Sequence, residues 1–571
     1  MSACSVSAAH TDTGPVDGGI DALTERDSTS RSQNIRGTIW VMPNLSTVSA
    51  GVRRADFLMA LAYATDLATG HSRDFALRSC VLAMRLVDGT RFDDHLRRAV
   101  YHQALLRYIG CNADSHLLAA AWGDEIALRQ DLQRVDFGDR AAFVEVFVRA
   151  ITRTFADASP TELAKAVERG LAEAAQVNIP VLSGHCEVAQ RIAERLGLPA
   201  DIRESLGQIY ERWDGRGLPR GLSGDAVTFP VRLVTLAQYA IALHETHGFE
   251  GMTAEIARRA GGAYEPELAE LFLSDAGRFF VGLDGPVDRQ TILALEPAPH
   301  AMLDEQACEE AYLAIADFVD MRMPFTFGHS RAVASLSEAA GKRMGLPASD
   351  IRDIRWAAYT HDIGELTVPV ATWMRADALT ERETDAARLH PYHGERALAS
   401  LGGDGKVVAA LVQRHHEHLD GSGYYRNSRG PDLSPGARIL AAAEMFQTAR
   451  EARPHRPASG DAAAAAKLRG AVREGKLCPD AVEAVLTCGG QPARRAAPER
   501  LAGLTPREIE VLRLIAAGDT MKEAARKLDI ATKTADNHIQ SLYSKIGVTT
   551  RAGAALYALE RGLVQHGMSS A

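Results

Sequence analysis

Seven of the 19 histidines fall between residues 329 and 418. They are His329, His361, His390, His393, His415, His416 and His418, and Asp362 and Glu444 join them as oxygen donors. Imidazole and carboxylate together suit iron, manganese, zinc or nickel, and one carboxylate can bridge two ions. Two ions about 3.5–4 Å apart can hold a phosphoryl oxygen and activate water. Adjacent His361 and Asp362 diverge on a helix, so both are used only if two metals sit at one helix edge. The same holds for His415 and His416. The spacing of His393 and His418 gives them no ligand role, and both are expected outside the first ring of donors.

The elements that must carry these residues read as helices. Segments 57–67, 75–86 and 351–361 place apolar residues three and four apart, period-two alternation is scarce, and Gly/Pro breaks separate the segments. The fold class is all-α, helices buried on one another. The chain also repeats itself. Thr69-Gly70-His71-Ser72-Arg73 recurs as Phe327-Gly328-His329-Ser330-Arg331, and Leu106-Arg107-Tyr108-Ile109-Gly110 parallels Thr360-His361-Asp362-Ile363-Gly364. Tyr210 to Leu218 parallels His416 to Tyr424, and Val231-Arg232-Leu233 parallels Ala437-Arg438-Ile439. Four blocks in one order give two copies of one helical domain, at 50–295 and 300–488. Residues 1–35 are rich in Ser, Thr, Asp and Gly and read as a disordered tail. Residues 489–500 read as a linker, and 501–566 as a separate module.

The second copy resembles the HD-GYP phosphohydrolases, a branch of the HD superfamily. The carriers are Gly328-His329-Ser330, His361-Asp362-Ile363-Gly364 with Val368-Pro369, and Leu379-Thr380 before His390-Pro391-Tyr392-His393-Gly394. His415-His416-Glu417, Asp420 to Tyr424, Ala437-Arg438-Ile439 and Arg453-Pro454-His455-Arg456 complete the set. The resemblance implies a helical domain with a metal centre, usually iron or manganese, that hydrolyses cyclic di-GMP. By position it implies His329, His361, Asp362, His390, His415 and His416 as metal ligands, Asp362 bridging, with Glu444 where the family has Asp. His361 and Asp362 would lie at the catalytic centre, and Tyr424, Arg438 and Arg456 near substrate. Members with three metals carry a Glu four residues before the first His; Phe325 stands there, so two divalent ions are expected. Glu365 replaces a phosphate-holding Lys and sets a repulsive charge before an anion. Tyr425 replaces the Pro of the GYP loop and loosens its turn. The first copy keeps His71 but has Arg107-Tyr108, Ile209-Tyr210 and Gln238 at the other ligand positions. It is expected to be catalytically dead, with a structural or dimerising role or a retained ligand-sensing cleft.

At the C-terminus, Thr505-Pro506-Arg507-Glu508 is a capped helix start. Met521–Leu528 and 533–546 follow as helices, the second ending at Gly547. In the latter, Ala535, Ile539, Leu542 and Ile546 share one face, while Lys533, Asn537, Gln540 and Ser544 project from the opposite one. That is an apolar back and a hydrogen-bonding front for a major groove. Residues 504–563 resemble LuxR-type helix-turn-helix domains through Leu504 to Glu508, Lys522-Glu523-Ala524-Ala525, Lys533-Thr534, Asn537-His538 and Lys545-Ile546-Gly547-Val548. The resemblance implies four helices, duplex DNA as partner, and dimerisation through the last helix, about 551–563. It places Lys533, Thr534, Asn537, His538, Gln540, Ser541, Ser544 and Lys545 at the DNA. Ala531 stands where the recognition helix usually has a Ser cap.

Composition agrees with a regulator. The chain has 571 residues with net charge -9 and 46% hydrophobic content, too acidic to coat nucleic acid. Residues 494–571 hold twelve Lys and Arg against eight Asp and Glu, a local basic module on an acidic body. No run reaches the ~18 apolar residues of a membrane helix, no secretory signal is visible, and seven scattered cysteines read as reduced thiols. The expectation is a cytoplasmic, homodimeric DNA-binding regulator whose two-metal domain hydrolyses cyclic di-GMP or a related nucleotide. The alternatives are a non-catalytic ligand sensor with inert HD domains, and a hydrolase of another phosphoester.

Overall fold

Helices begin where the sequence supplies an oxygen for the orphan N–H groups of the first turn. Asp93 accepts from the Leu96 amide at 2.9 Å and Asp304 from Ala307 at 2.8 Å. Ser159 with Glu162, Thr380 with Glu383, Thr505 with Glu508 and Thr520 with Glu523 form reciprocal capping boxes. The computed structural model describes residues 52–88, 93–489 and 503–563. The tail reading for 1–35 and nearly all of the linker reading for 489–500 lie outside the described residues. Among the described residues the one sheet is a minimal antiparallel pair, Val52–Arg53 against Met302–Leu303.

The repeat is structural. Arg54–Thr69, Phe75–Asp88, Asp94–Leu106 and Phe229–Arg259 answer Glu305–Asp320, His329–Arg343, Ala348–Thr360 and Pro435–Arg450. Close approaches recur at matching glycines. A Cβ on Gly110 would lie 1.8 Å from the His185 carbonyl oxygen, and one on Gly364 1.9 Å from that of His390. Gly217 against Glu211 and Gly423 against Glu417 repeat the same crowding in the loop. Glu211 accepts from the Arg220 and Leu222 amides, as Glu417 does from Arg426 and Ser428. The first copy differs by an insertion. Gly110 and His185 are 75 positions apart, Gly364 and His390 only 26. Helices Ser115–Trp122, Glu125–Leu132, Arg140–Thr154 and the start of Pro160–Arg195 fill the insertion. They share a satellite core of Trp122, Leu128, Val146, Phe147 and Ile151.

A buried ion pair joins the copies. Arg322 meets Glu125 at 2.7 Å with both side chains essentially inaccessible. Glu125 also accepts from the Val370 amide, and Arg322 donates to the Glu365 carbonyl oxygen at 2.8 Å. The insertion is thereby tied to the turn that follows His361-Asp362.

The C-terminal module has four helices, Pro506–Ala516, Met521–Lys527, Thr532–Ile546 and Arg551–Glu560. The last is buried along Ala552 to Leu559. It packs on the long Pro160–Arg195 helix. Glu187 accepts from the Thr549 amide and the Thr550 hydroxyl, Arg191 pairs with Glu560 at 3.3 Å, and Arg191 also lies over the Tyr557 ring. Within the chain this helix, expected to dimerise, packs against the first copy.

Candidate metal centre

His361 and Asp362 escape the helical divergence because the chain leaves the helix between them. Ala348–Thr360 ends with His361 as its C-cap, and Asp362 opens a tight turn over Ile363–Thr367. His329 and His390 are each the first residue of a helix, and His329 follows Gly328, whose φ is 77°. His415 and His416 leave the end of Gly405–Val412, and Glu444 sits inside Pro435–Arg450. The lack of a Cβ at Gly364 lets the His390 segment close on the Asp362 turn.

These seven residues converge in two groups that share one carboxylate. The Asp362 Oδ2 lies 3.5 Å from His329 Nε2 and 3.2 Å from His361 Nε2. Its Oδ1 lies 3.7 Å from the Nε2 atoms of both His390 and His415. Glu444 Oε2 completes the first group, 2.9 Å from His329 and 3.2 Å from His361. His416 completes the second, its donor atom within 4.8 Å of those of His390 and His415. His393 and His418 lie outside: His393 packs on Tyr392, and His418 bonds Ser422 Oγ at 3.0 Å.

The far side of each ring fixes what the near side offers. His361, His390 and His415 bond through Nδ1 to the carbonyls of Ala358, Ala387 and Val412 at 2.8, 2.7 and 2.6 Å. His329 Nδ1 meets Glu451 at 2.8 Å. A carbonyl only accepts, so Nδ1 carries a proton, and in each neutral ring Nε2 is left to present a lone pair inward. The lone pairs of His390 and His415 face one another at 2.9 Å. Two neutral rings so arranged repel unless a cation lies between them and the carboxylate. The donor set therefore fits bound metal. Electrostatics divide the cluster the same way. Against the penalty of burial, Glu451 and Glu444 raise His329 well above its usual range, and Asp362 lifts His361 to about 10. Burial and neighbouring imidazoles push His390 and His415 down and His416 to about 3.

Around the cluster, Tyr424 stacks on His416 at 4.7 Å, and the exposed Arg388 lies 5.7 Å from the Tyr424 ring centre. Arg438 and Arg456, implied near substrate, have structural partners. Arg438 donates to the carbonyls of Leu433 and Gly430. Arg456 donates to those of Thr448, Ala449 and Glu451 at the end of Pro435–Arg450. The loop with Tyr425 in place of Pro is not loose, since Glu417 clamps it and Tyr425 itself bonds Gln413 and Glu395. Burial and the Asp362 charge raise Glu365 to about 8. Sequence reasoning missed Glu451 and Arg388; neither stands in a block that names a ligand.

The first copy shows a register error in the sequence comparison. Phe75, not His71, opens the helix that matches His329–Arg343. Asp74 has φ 58° where Gly328 has 77°, and Asp66 caps the Ala76 amide as Asp320 caps Ser330. His71 lies in the preceding loop and stacks on Phe75 at 4.0 Å. The glycine contacts place His185 opposite His390. The positions matching the seven clustered residues thus hold Phe75, Arg107, Tyr108, His185, Ile209, Tyr210 and Gln238. His185 alone keeps its type, and its Nε2 is spent on the Ala113 carbonyl at 3.1 Å.

On Thr532–Ile546, Lys533, Thr534, Asn537, Gln540 and Ser544 are exposed, while Ala535, Ile539, Leu542 and Ile546 face inward. His538 is half-buried. Ser541 and Lys545 bond Glu508 at 2.6 and 2.7 Å, so they brace the first helix of the module. Ala531 provides no side-chain cap.

Comparison with known proteins follows this division. A family model described as HD domain matches residues 158–257 and 314–478, and one described as bacterial regulatory proteins, luxR family, matches 502–558. The chain is 26% identical over 408 residues to 3′3′-cGAMP-specific phosphodiesterase 3 of Vibrio cholerae serotype O1, covering 71% of this chain and 88% of that protein. It is 30% identical over 202 residues to the cyclic di-GMP phosphodiesterase response regulator RpfG of Xanthomonas campestris pv. campestris. That match spans 35% of this chain and 53%, about half, of the relative. The crystal structure of a cyclic GMP-AMP specific phosphodiesterase of V. cholerae superposes with TM-score 0.55 at 22% identity, over 78% of this chain and 99% of that one, and shares its fold. The chain thus carries HD-domain matches in both copies and, after them, a match to the luxR family of bacterial regulatory proteins.

Proposed function

We propose that this protein is a cytoplasmic DNA-binding regulator that hydrolyses a cyclic dinucleotide, cyclic di-GMP or 3′3′-cGAMP, at its second HD copy. The units would be residues 50–295, 300–488 and 501–566. The observation that carries the reading is Asp362, whose two oxygens face two separate groups of inward-aimed imidazoles. His329, His361, Asp362 and Glu444 would hold one divalent ion, and His390, His415, His416 and Asp362 the other, with iron or manganese suited to the mixed donors. Such ions supply Lewis acidity at a phosphoryl oxygen and lower the pKa of water. The chain's own residues do the positioning. The Nδ1 partners hold each ring at one angle, Tyr424 closes the side beside His416, and Arg388 offers a cation at the exposed rim for a phosphate. On the C-terminal module, the exposed side chains from Lys533 to Ser544 would read base edges of duplex DNA.

The test is anaerobic metal analysis and hydrolysis of both dinucleotides on one preparation. The expected result is two metals per chain, turnover of at least one dinucleotide, and loss of both in Asp362→Ala with operator binding kept. Two metals without turnover of either dinucleotide would sink the catalytic reading.

A further inference from the structure

The positions matching the metal cluster do not collapse in the first copy. All seven of them line one cavity of about 410 Å³, a size that suits a small organic ligand. The insertion forms much of its wall with Phe137, Phe143 and Phe147, opposite Phe75, Tyr108 and Tyr239.

We infer that this cavity binds a small aromatic carboxylate, seated where the second copy gathers its ligands. The inference goes beyond the proposed hydrolysis and does not depend on it. Three buried polar atoms support it. Arg107 is 4% exposed, donates to the neutral oxygens Thr235 Oγ1 at 2.7 Å and the Ile209 carbonyl at 2.6 Å, lies against Tyr108, and has no carboxylate among these partners. Its Nε has no partner. A buried guanidinium without a carboxylate is costly, and an anionic ligand offsets that cost. His71 Nδ1 bonds Thr69 Oγ1, whose own proton goes to the Thr65 carbonyl, so His71 Nε2 is an acceptor. That nitrogen and Gln238 Oε1 are buried without partners, and they call for an O–H or N–H on the ligand. The charge balance agrees. Arg107, Arg129, Arg140 and Arg216 line the cavity together with Arg212, which Asp136 and Asp214 neutralise, and the single lining carboxylate, Glu211, is engaged by two loop amides at 2.8 Å. The aromatic walls select a flat ring.

The test is calorimetric titration of the full chain with 4-hydroxybenzoate, 4-hydroxyphenylacetate and indole-3-acetate, each against its neutral counterpart lacking the carboxylate. The expected result is one site per chain for at least one acid. Its neutral counterpart should bind about tenfold or more weakly, the worth of one charge-assisted hydrogen bond. Arg107→Met should remove that difference. Leu182→Trp, which fills the cavity from the Pro160–Arg195 helix, should abolish binding while the metal content of the second copy is unchanged. No binding by any acid at millimolar concentration would overturn the proposal. So would equal affinity of acid and neutral counterpart, binding that survives Leu182→Trp, or displacement of the acid by cyclic di-GMP.

Discussion

Glu451 decides which nitrogen of His329 faces the cluster, although it lies 122 residues away in sequence. Glu451→Gln keeps the shape but removes the charge that holds the Nδ1 proton. Metal affinity should fall about 10- to 100-fold, as read by chelator competition, with far-UV circular dichroism unchanged. The clustered residues were legible in sequence because donor chemistry is written in residue type. Their anchors were not, because three of the four are backbone carbonyls, which carry no residue identity. The match of His71 to His329 misled for a related reason. A shared four-letter string ignores whether its histidine lies in the loop or opens the helix, and Phe75 opens it here. His185 went unseen because its neighbours share nothing with Pro391-Tyr392-His393.

At the scale of elements, caps and braces set the C-terminal module. Ala531 sits at an N-cap with φ -63° and ψ 144°, a geometry that accepts a serine. Ala531→Ser should stabilise the module by about 1 kcal/mol, measured by hydrogen exchange across Thr532–Ile546. Glu508 is the opposite case, a carboxylate already engaged. Burial opposes its charge, but Lys545, Ser541 and Thr505 outweigh burial and hold it at about 2. A depressed carboxylate stabilises the fold above its unfolded value, near 4.3, and loses that contribution as pH falls toward 2. Glu508→Gln should therefore lower the module's stability at neutral pH, with the gap to wild type closing as pH drops through that window. The capping box of Glu508 was visible in sequence. Its capture of Lys545, 37 residues on, was not, so Lys545 was placed only at the DNA. The helices were legible throughout, but the first copy's insertion had no repeat partner to set its packing.

Across the whole molecule, the Arg322–Glu125 pair fastens the insertion to the turn beside Asp362. Arg322→Met leaves Glu125 buried and unpaired and should cost about 3–5 kcal/mol in denaturant unfolding of the full chain. Glu125→Gln with Arg322→Met should recover part of that loss, since the buried carboxylate is removed with its partner. The seat of the Arg551–Glu560 helix against Pro160–Arg195 has a separate consequence. Any second chain that would use this helix competes with a partner tethered to it, present at roughly millimolar effective concentration. If the module reads DNA as proposed, a molecule whose seat holds would meet a single half-site. Operator occupancy then rises with the first power of protein concentration, and Glu187→Ala with Arg191→Ala should turn that dependence toward the second power in a gel-shift titration.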